Sequence, residues 1–162
     1  MSPKAKQFKE LIIDPTLKSI GLYSPEASDL LLGTALVESN LDYLKQLGGG
    51  PALGYYQMEP ATFDDLYNRY LKRGDKPELE FVVEMLMVRP HVRAPVTDPV
   101  YQLITNLPFA TAIARIKYLM VPSPIPGDAE GQSRYWKEHY NTELGSGRVE
   151  DYMEKWNRYV VK

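Results

Sequence analysis

Apolar residues recur along this chain at helical spacing, in runs punctuated by proline and glycine. Phe8, Leu11 and Ile12 give one face of a short opening helix that stops at Asp14-Pro15, where aspartate can cap and proline can start a second short helix ending near Gly21. Ser24 and Pro25 form a cap and first-turn pair ahead of Ala27, Leu30, Leu31, Ala35 and Leu36. That spacing predicts a buried helix carrying Glu38 and Ser39 at its C-terminal end. Residues 48–51, three glycines and a proline, hold no regular structure at ordinary backbone cost and predict a groove wall. Pro60 opens a helix with Phe63, Leu66, Tyr67, Tyr70 and Leu71 on one face, closed by Gly74.

Pro77 opens a further helix with Leu79, Val82, Val83, Leu86 and Met87 inward, stopped at Arg89-Pro90 because the residue before proline avoids the helical region. Residues 89–97 then form a loop. Asp98-Pro99 repeats the cap-plus-proline start, and Leu103, Phe109, Ile113, Ile116 and Leu119 mark a long central face, kinked or broken around Pro108. Three prolines and a glycine make residues 121–128 a stiff connection within one domain. A helix over residues 129–140 ends in Trp136 and Tyr140, residues 141–147 form a loop, and Val149, Tyr152, Met153, Trp156 and Val160 stripe the last helix. The reading is an all-α globule of about seven helices in a single domain over residues 1–162. An α+β variant stays open through a small β-ribbon near residues 48–57.

Composition narrows the function classes. With 162 residues and 44% hydrophobic content, the chain can bury a real core without staples. It has no cysteine, which excludes thiol nucleophiles and cysteine zinc sites. A net charge of -2 with interleaved signs gives no basic stripe, so nucleic acid and anionic lipid are poor partners. No window approaches a membrane span, and the N-terminal residues lack an apolar run of signal-peptide length. His91 and His139 are the only histidines and stand far apart, which disfavours both metal catalysis and a Ser-His-Asp triad. No phosphate-cradling glycine motif occurs. No metal or cofactor is expected. Twelve tyrosines and two tryptophans suit helical cores and also suit grooves that stack on sugars.

Glu38 is the pivot of the candidate chemistry. A carboxyl at the end of a core helix, beside Leu36, Val37 and Leu41, is partly desolvated, so its neutral form is favoured and it can donate a proton near neutral pH. Capping is the structural alternative. Downstream runs Gly54-Tyr55-Tyr56-Gln57-Met58-Glu59-Pro60-Ala61-Thr62, and near the C-terminus Tyr140-Asn141 is followed by Gly145, Gly147 and Val149. Together with Glu38-Ser39, these segments resemble the soluble lytic transglycosylase and goose-type lysozyme superfamily. In that family a helix ends in Glu-Ser, a Gly-Leu-Met-Gln-Ile-Met-Pro-Ala-Thr segment follows, and an Ala-Tyr-Asn-Ala-Gly-Pro-Gly-x-Val signature comes later. Tyr118-Leu119 resembles the Tyr-Leu pair closing the preceding helix, so the resemblance spans about residues 10–160. The chain departs from the pattern at Tyr55-Tyr56, at His139, in the longer loop containing residues 142–144, and in a longer 75–98 region.

The resemblance implies a lysozyme-like fold and cleavage of the β-1,4 bond between N-acetylmuramic acid and N-acetylglucosamine in peptidoglycan. It implies Glu38 as acid and then base, with attack by the muramic 6-hydroxyl giving a 1,6-anhydro end. Ser39 is then a candidate to touch substrate or orient Glu38, with helix-end capping as the rival; Gln57 is expected to face acetamido groups; Tyr140 is a candidate to donate a hydrogen bond to Glu38, with a core tyrosine as the rival; and Asn141 is a candidate to hold its loop backbone. Tyr55 and Tyr56 are candidates for sugar stacking, with core packing as the rival. Glu59 decides the alternative: a second carboxylate across the cleft favours a hydrolytic muramidase, whereas a helix-start role needs no chemistry. Asp42 is a further candidate water-holder. A wall-binding or virion structural protein with no turnover is the remaining alternative. The expected partner is the peptidoglycan strand, acted on by a monomer. The absence of a leader suits a bacteriophage-encoded enzyme reaching the wall within a virion, with tail partners, or through membrane holes; a trimmed periplasmic protein would read the same.

Overall fold

The computed structural model describes residues 1–89, 95–141 and 145–162. Every described element of length is helical: α1 (Pro3–Phe8), α2 (Asp14–Ser19), α3 (Pro25–Ser39), α4 (Pro60–Asp64), α5 (Pro77–Met85), α6 (Pro99–Thr105), α7 (Leu107–Leu119), α8 (Ala129–Trp136) and α9 (Val149–Trp156). Wider π-turns extend several of them, at Lys9–Ile13, Asp65–Tyr70, Lys137–Asn141 and Asn157–Val161. The all-α expectation holds. In place of a ribbon there are two isolated antiparallel bridges, Lys45 with Leu53 and Leu53 with Met58.

α3 is the axis of the molecule. The Ser24 hydroxyl accepts the Ala27 N–H at its start, and Asn40, with φ of 58°, ends it in the left-handed conformation. Between these ends Leu30, Leu31, Leu32, Ala35 and Leu36 are all buried, so the helix is wrapped on every side rather than on one stripe. It packs against α7, α8, α9 and the Lys9–Ile13 turn. Gly33 allows the closest approach, because a Cβ there would overlap the Tyr152 hydroxyl of α9. α7 supplies the second buried axis through Phe109, Ala112, Ile113, Ala114 and Ile116. The predicted break before it is present: Asn106 separates α6 from α7 and its side chain accepts the Phe109 N–H.

Two local expectations fail. The chain does not stop at Asp14-Pro15; α1 runs through a π-turn, closed by the Asp14 N–H on the Lys9 carbonyl, directly into α2. The extra residue in that turn rotates the face, so Ile13 is buried and Leu11 is exposed. The helix from Pro77 ends at Met85, well before Pro90, and leaves Phe81 and Met85 exposed. The central part of the 89–97 loop, with His91, and residues 142–144 lie outside the described residues. Among the described residues, no helix is long and apolar enough to cross a membrane.

Candidate active site

Glu38 occupies the last turn of α3, where the buried axis reaches the surface. It lines two adjoining cavities, of about 450 and 420 Å³, that also share Gln46, Gln57, Asn141 and Ser146. The carboxyl therefore stands at the junction of a groove that continues to either side. One half is completed by Met58, Glu59, Thr62, Lys117 and Tyr140, the other by Tyr43, Leu47, Trp136 and residues of α9.

Burial pushes the Glu38 carboxyl up from 4.5 to about 7, against the opposing pull of the Trp136 N–H and the Lys117 ammonium. Desolvation disfavours the charged form, while a donor and a nearby cation favour it. The result is a group that holds a proton about half the time at neutral pH, which suits one that must first give a proton and then take one. The Trp136 indole donates to Oε1 at 2.9 Å. Lys117 donates to the Tyr140 carbonyl at 2.8 Å and lies 4.0 Å from the centre of that ring. Burial lowers the Lys117 pKa, and the charges of Glu38 and Glu59 oppose that shift. Its cation thus sits in the field of both groove carboxylates.

Several of the sequence candidates converge here. Gln57 lines the groove, with φ of 47°, and turns its Nε2 back to the Gly54 carbonyl at 2.9 Å. Gly54 has φ of +75°, and a Cβ there would overlap the Leu103 carbonyl, which accounts for glycine at this position. Asn141 lines the groove as well: Lys137 donates to its Oδ1 at 2.8 Å and to the Gly145 carbonyl at 2.9 Å, and Cβ atoms at Gly145 and Gly147 would both press on Asn141. Glu59 also lines the groove, exposed, at the position preceding Pro60 of α4. The wall from the glycine-rich loop is present too, but Gln46, Leu47 and Ala52 form it rather than the glycines.

Other candidates have structural roles instead. Ser39 is fully buried; its hydroxyl lies 2.8 Å from the Tyr55 carbonyl and 3.1 Å from the Ala35 carbonyl, and accepts the Leu41 N–H. It contacts no groove space because it ties the end of α3 to the 54–57 turn. Tyr56 is also core: its ring is buried and its hydroxyl pairs with Thr111 at 3.0 Å. Tyr55 packs edge-on against Phe8, with ring centres 5.7 Å apart. Tyr140 does line the groove, but its hydroxyl donates to the Tyr56 carbonyl at 2.7 Å rather than to Glu38. Asp42 is exposed and bonds Lys4, whose hydrogen bond lowers its pKa; it lines neither cavity.

Trp136 and Lys117 escaped the sequence reading as site residues. A signal existed for each: Trp136 lies four residues before Tyr140, on the same helical face, and Lys117 immediately precedes the Tyr118-Leu119 pair. Among the described residues, no group of three or more His, Asp or Glu side chains could hold a metal ion. Compared with known proteins, the sequence matches no family model, and no curated protein matches it.

Proposed function

We propose that this chain cleaves the β-1,4 bond between N-acetylmuramic acid and N-acetylglucosamine in peptidoglycan, as a lytic transglycosylase with Glu38 as acid and then base. The observation that carries the reading is a largely desolvated carboxyl, with its pKa raised to about 7, at the junction of two cavities. A glycan strand laid through the groove would put one sugar in each cavity and the linking oxygen beside Glu38. The neutral carboxyl protonates that oxygen as the bond breaks and the sugar gains oxocarbenium character. The carboxylate left behind then takes the proton of the muramic 6-hydroxyl, whose oxygen attacks C1 and closes the 1,6-anhydro ring. Proton and electrons balance without a second protein carboxylate. Gln57 and Asn141 supply amide groups along the groove suited to acetamido and hydroxyl partners.

Glu59 favours a second reading, hydrolysis, because it lines the same groove. There it would activate a water, and the product would be a reducing end. Mass spectrometry of muropeptides released from purified sacculi separates the two. Anhydro ends, lighter by one water, are expected; only reducing ends would reject transglycosylation. Lysis that survives Glu38→Gln would reject both readings.

A further inference from the structure

The two oxygens of Glu38 are not equivalent. Oε1 receives the Trp136 N–H at 2.9 Å, and an indole nitrogen donates only. The better acceptor of a neutral carboxyl is its carbonyl oxygen, so a fixed donor at Oε1 favours the proton on Oε2. Oε2 has no hydrogen-bond partner among the described residues. Nor is it one of their buried unpartnered side-chain atoms, which are Asn40 Oδ1, Gln132 Oε1 and the Tyr152 hydroxyl, so it is not sealed off, and Glu38 lines the groove. The donor itself is held still. Trp136 is buried, its ring packs on Tyr152 with centres 5.9 Å apart, and Gly147 lies against the ring edge, where a Cβ would come within 2.6 Å of Cη2.

We propose that Trp136 is the positioning residue of Glu38: its N–H fixes Oε1 as acceptor and leaves the transferable proton on Oε2, at the groove. The use of that proton rests on the glycan-cleaving reading, but its location is a property of the Glu38 and Trp136 pair alone. The other titratable groups facing Glu38 are Lys117 and Tyr118 of α7, Glu59 before α4, Tyr140 beyond α8, Tyr43, and Asp151, Glu154 and Lys155 of α9. All of them remain in the variants below, so a changed titration in the benzothienyl variant reports the lost indole N–H.

The test replaces Trp136 with β-(3-benzothienyl)alanine, which keeps the ring shape but has sulfur in place of the N–H. The Glu38 carboxyl is followed by carbon NMR, its resonance assigned by loss in Glu38→Gln. The N–H stabilises the carboxylate, so its loss moves the midpoint upward, by about 0.5–1 pH unit, and moves the alkaline limb of the lysis profile with it. Gly147→Ala, which presses on the indole without removing the N–H, moves the midpoint in the same direction. An unmoved midpoint in the benzothienyl variant overturns the proposal, whether or not the protein lyses sacculi. A moved midpoint in a protein with no lytic activity keeps the proposal and rejects the glycan-cleaving reading instead.

Discussion

Glu38 and Glu59 line one groove and carry the same functional group, yet the fold treats them in opposite ways. Glu38 ends a helix wrapped on all sides, and burial lifts its pKa to about 7. Glu59 stands exposed at the position before Pro60, and its side chain caps no N–H of α4. Chemistry in this groove is therefore assigned by environment rather than by residue type, with Lys117 in the field of both carboxylates.

Activity should separate the pair most strongly. Glu38→Gln keeps size and hydrogen bonding but removes the transferable proton, so lysis of sacculi should fall by about 10³-fold, while Glu59→Gln should stay within about threefold. A large loss at Glu59 would shift the assignment toward hydrolysis. Stability should separate them next. The folded protein holds the Glu38 proton up to about pH 7, whereas the unfolded chain releases it near 4.5, so between those values the native state binds more protons and loses stability as pH rises. The cost is complete above pH 7 and amounts to at most about 3 kcal/mol. Glu38→Gln should accordingly raise the melting temperature at pH 8 and lose that advantage at pH 4; calorimetry at the two pH values, with Glu59→Gln as the reference, measures this.

Smaller effects sharpen the contrast between groove and support. Ser39→Ala removes a hydroxyl that donates to the Tyr55 or Ala35 carbonyl and accepts the Leu41 N–H, so it should cost about 1–3 kcal/mol in denaturant unfolding while any lysis of sacculi by the folded protein stays within a few-fold. Lys117→Met removes a cation that favours ionised Glu38, so the alkaline limb of the pH profile should move upward by about half a unit. An unmoved limb would show that the ammonium does not act on the acid.

The main axis of the fold and the pivot of the site were legible in the chain. The Ser24-Pro25 start, the apolar spacing of α3 and the break before Pro108 are local signals, and each is realised locally. Glu38, Gln57, Glu59, Tyr140 and Asn141 line one groove from three separate segments, an arrangement expected from the family resemblance of those segments rather than from periodicity. What sequence did not reveal depends on side-chain direction across elements. Tyr56 and Gln57 are neighbours, but one enters the core and the other the groove, because Gln57 takes a left-handed backbone in the turn. Tyr140 reaches the Tyr56 carbonyl, which leaves Glu38 to the indole of α8. The π-turn before Pro15 shifted a face by one residue, a change that ideal periodicity does not encode.

The Ser39 clamp carries a further consequence. A single buried hydroxyl joins the end of α3, Leu41 and the 54–57 turn, so a change at Ser39 reaches both the helix that carries Glu38 and the turn that carries Gln57. Gly145 and Gly147 lie close against Asn141 and Trp136, where a Cβ would overlap them. A side chain placed at either glycine should therefore disturb the groove at Asn141 while leaving the Ser39 junction in place.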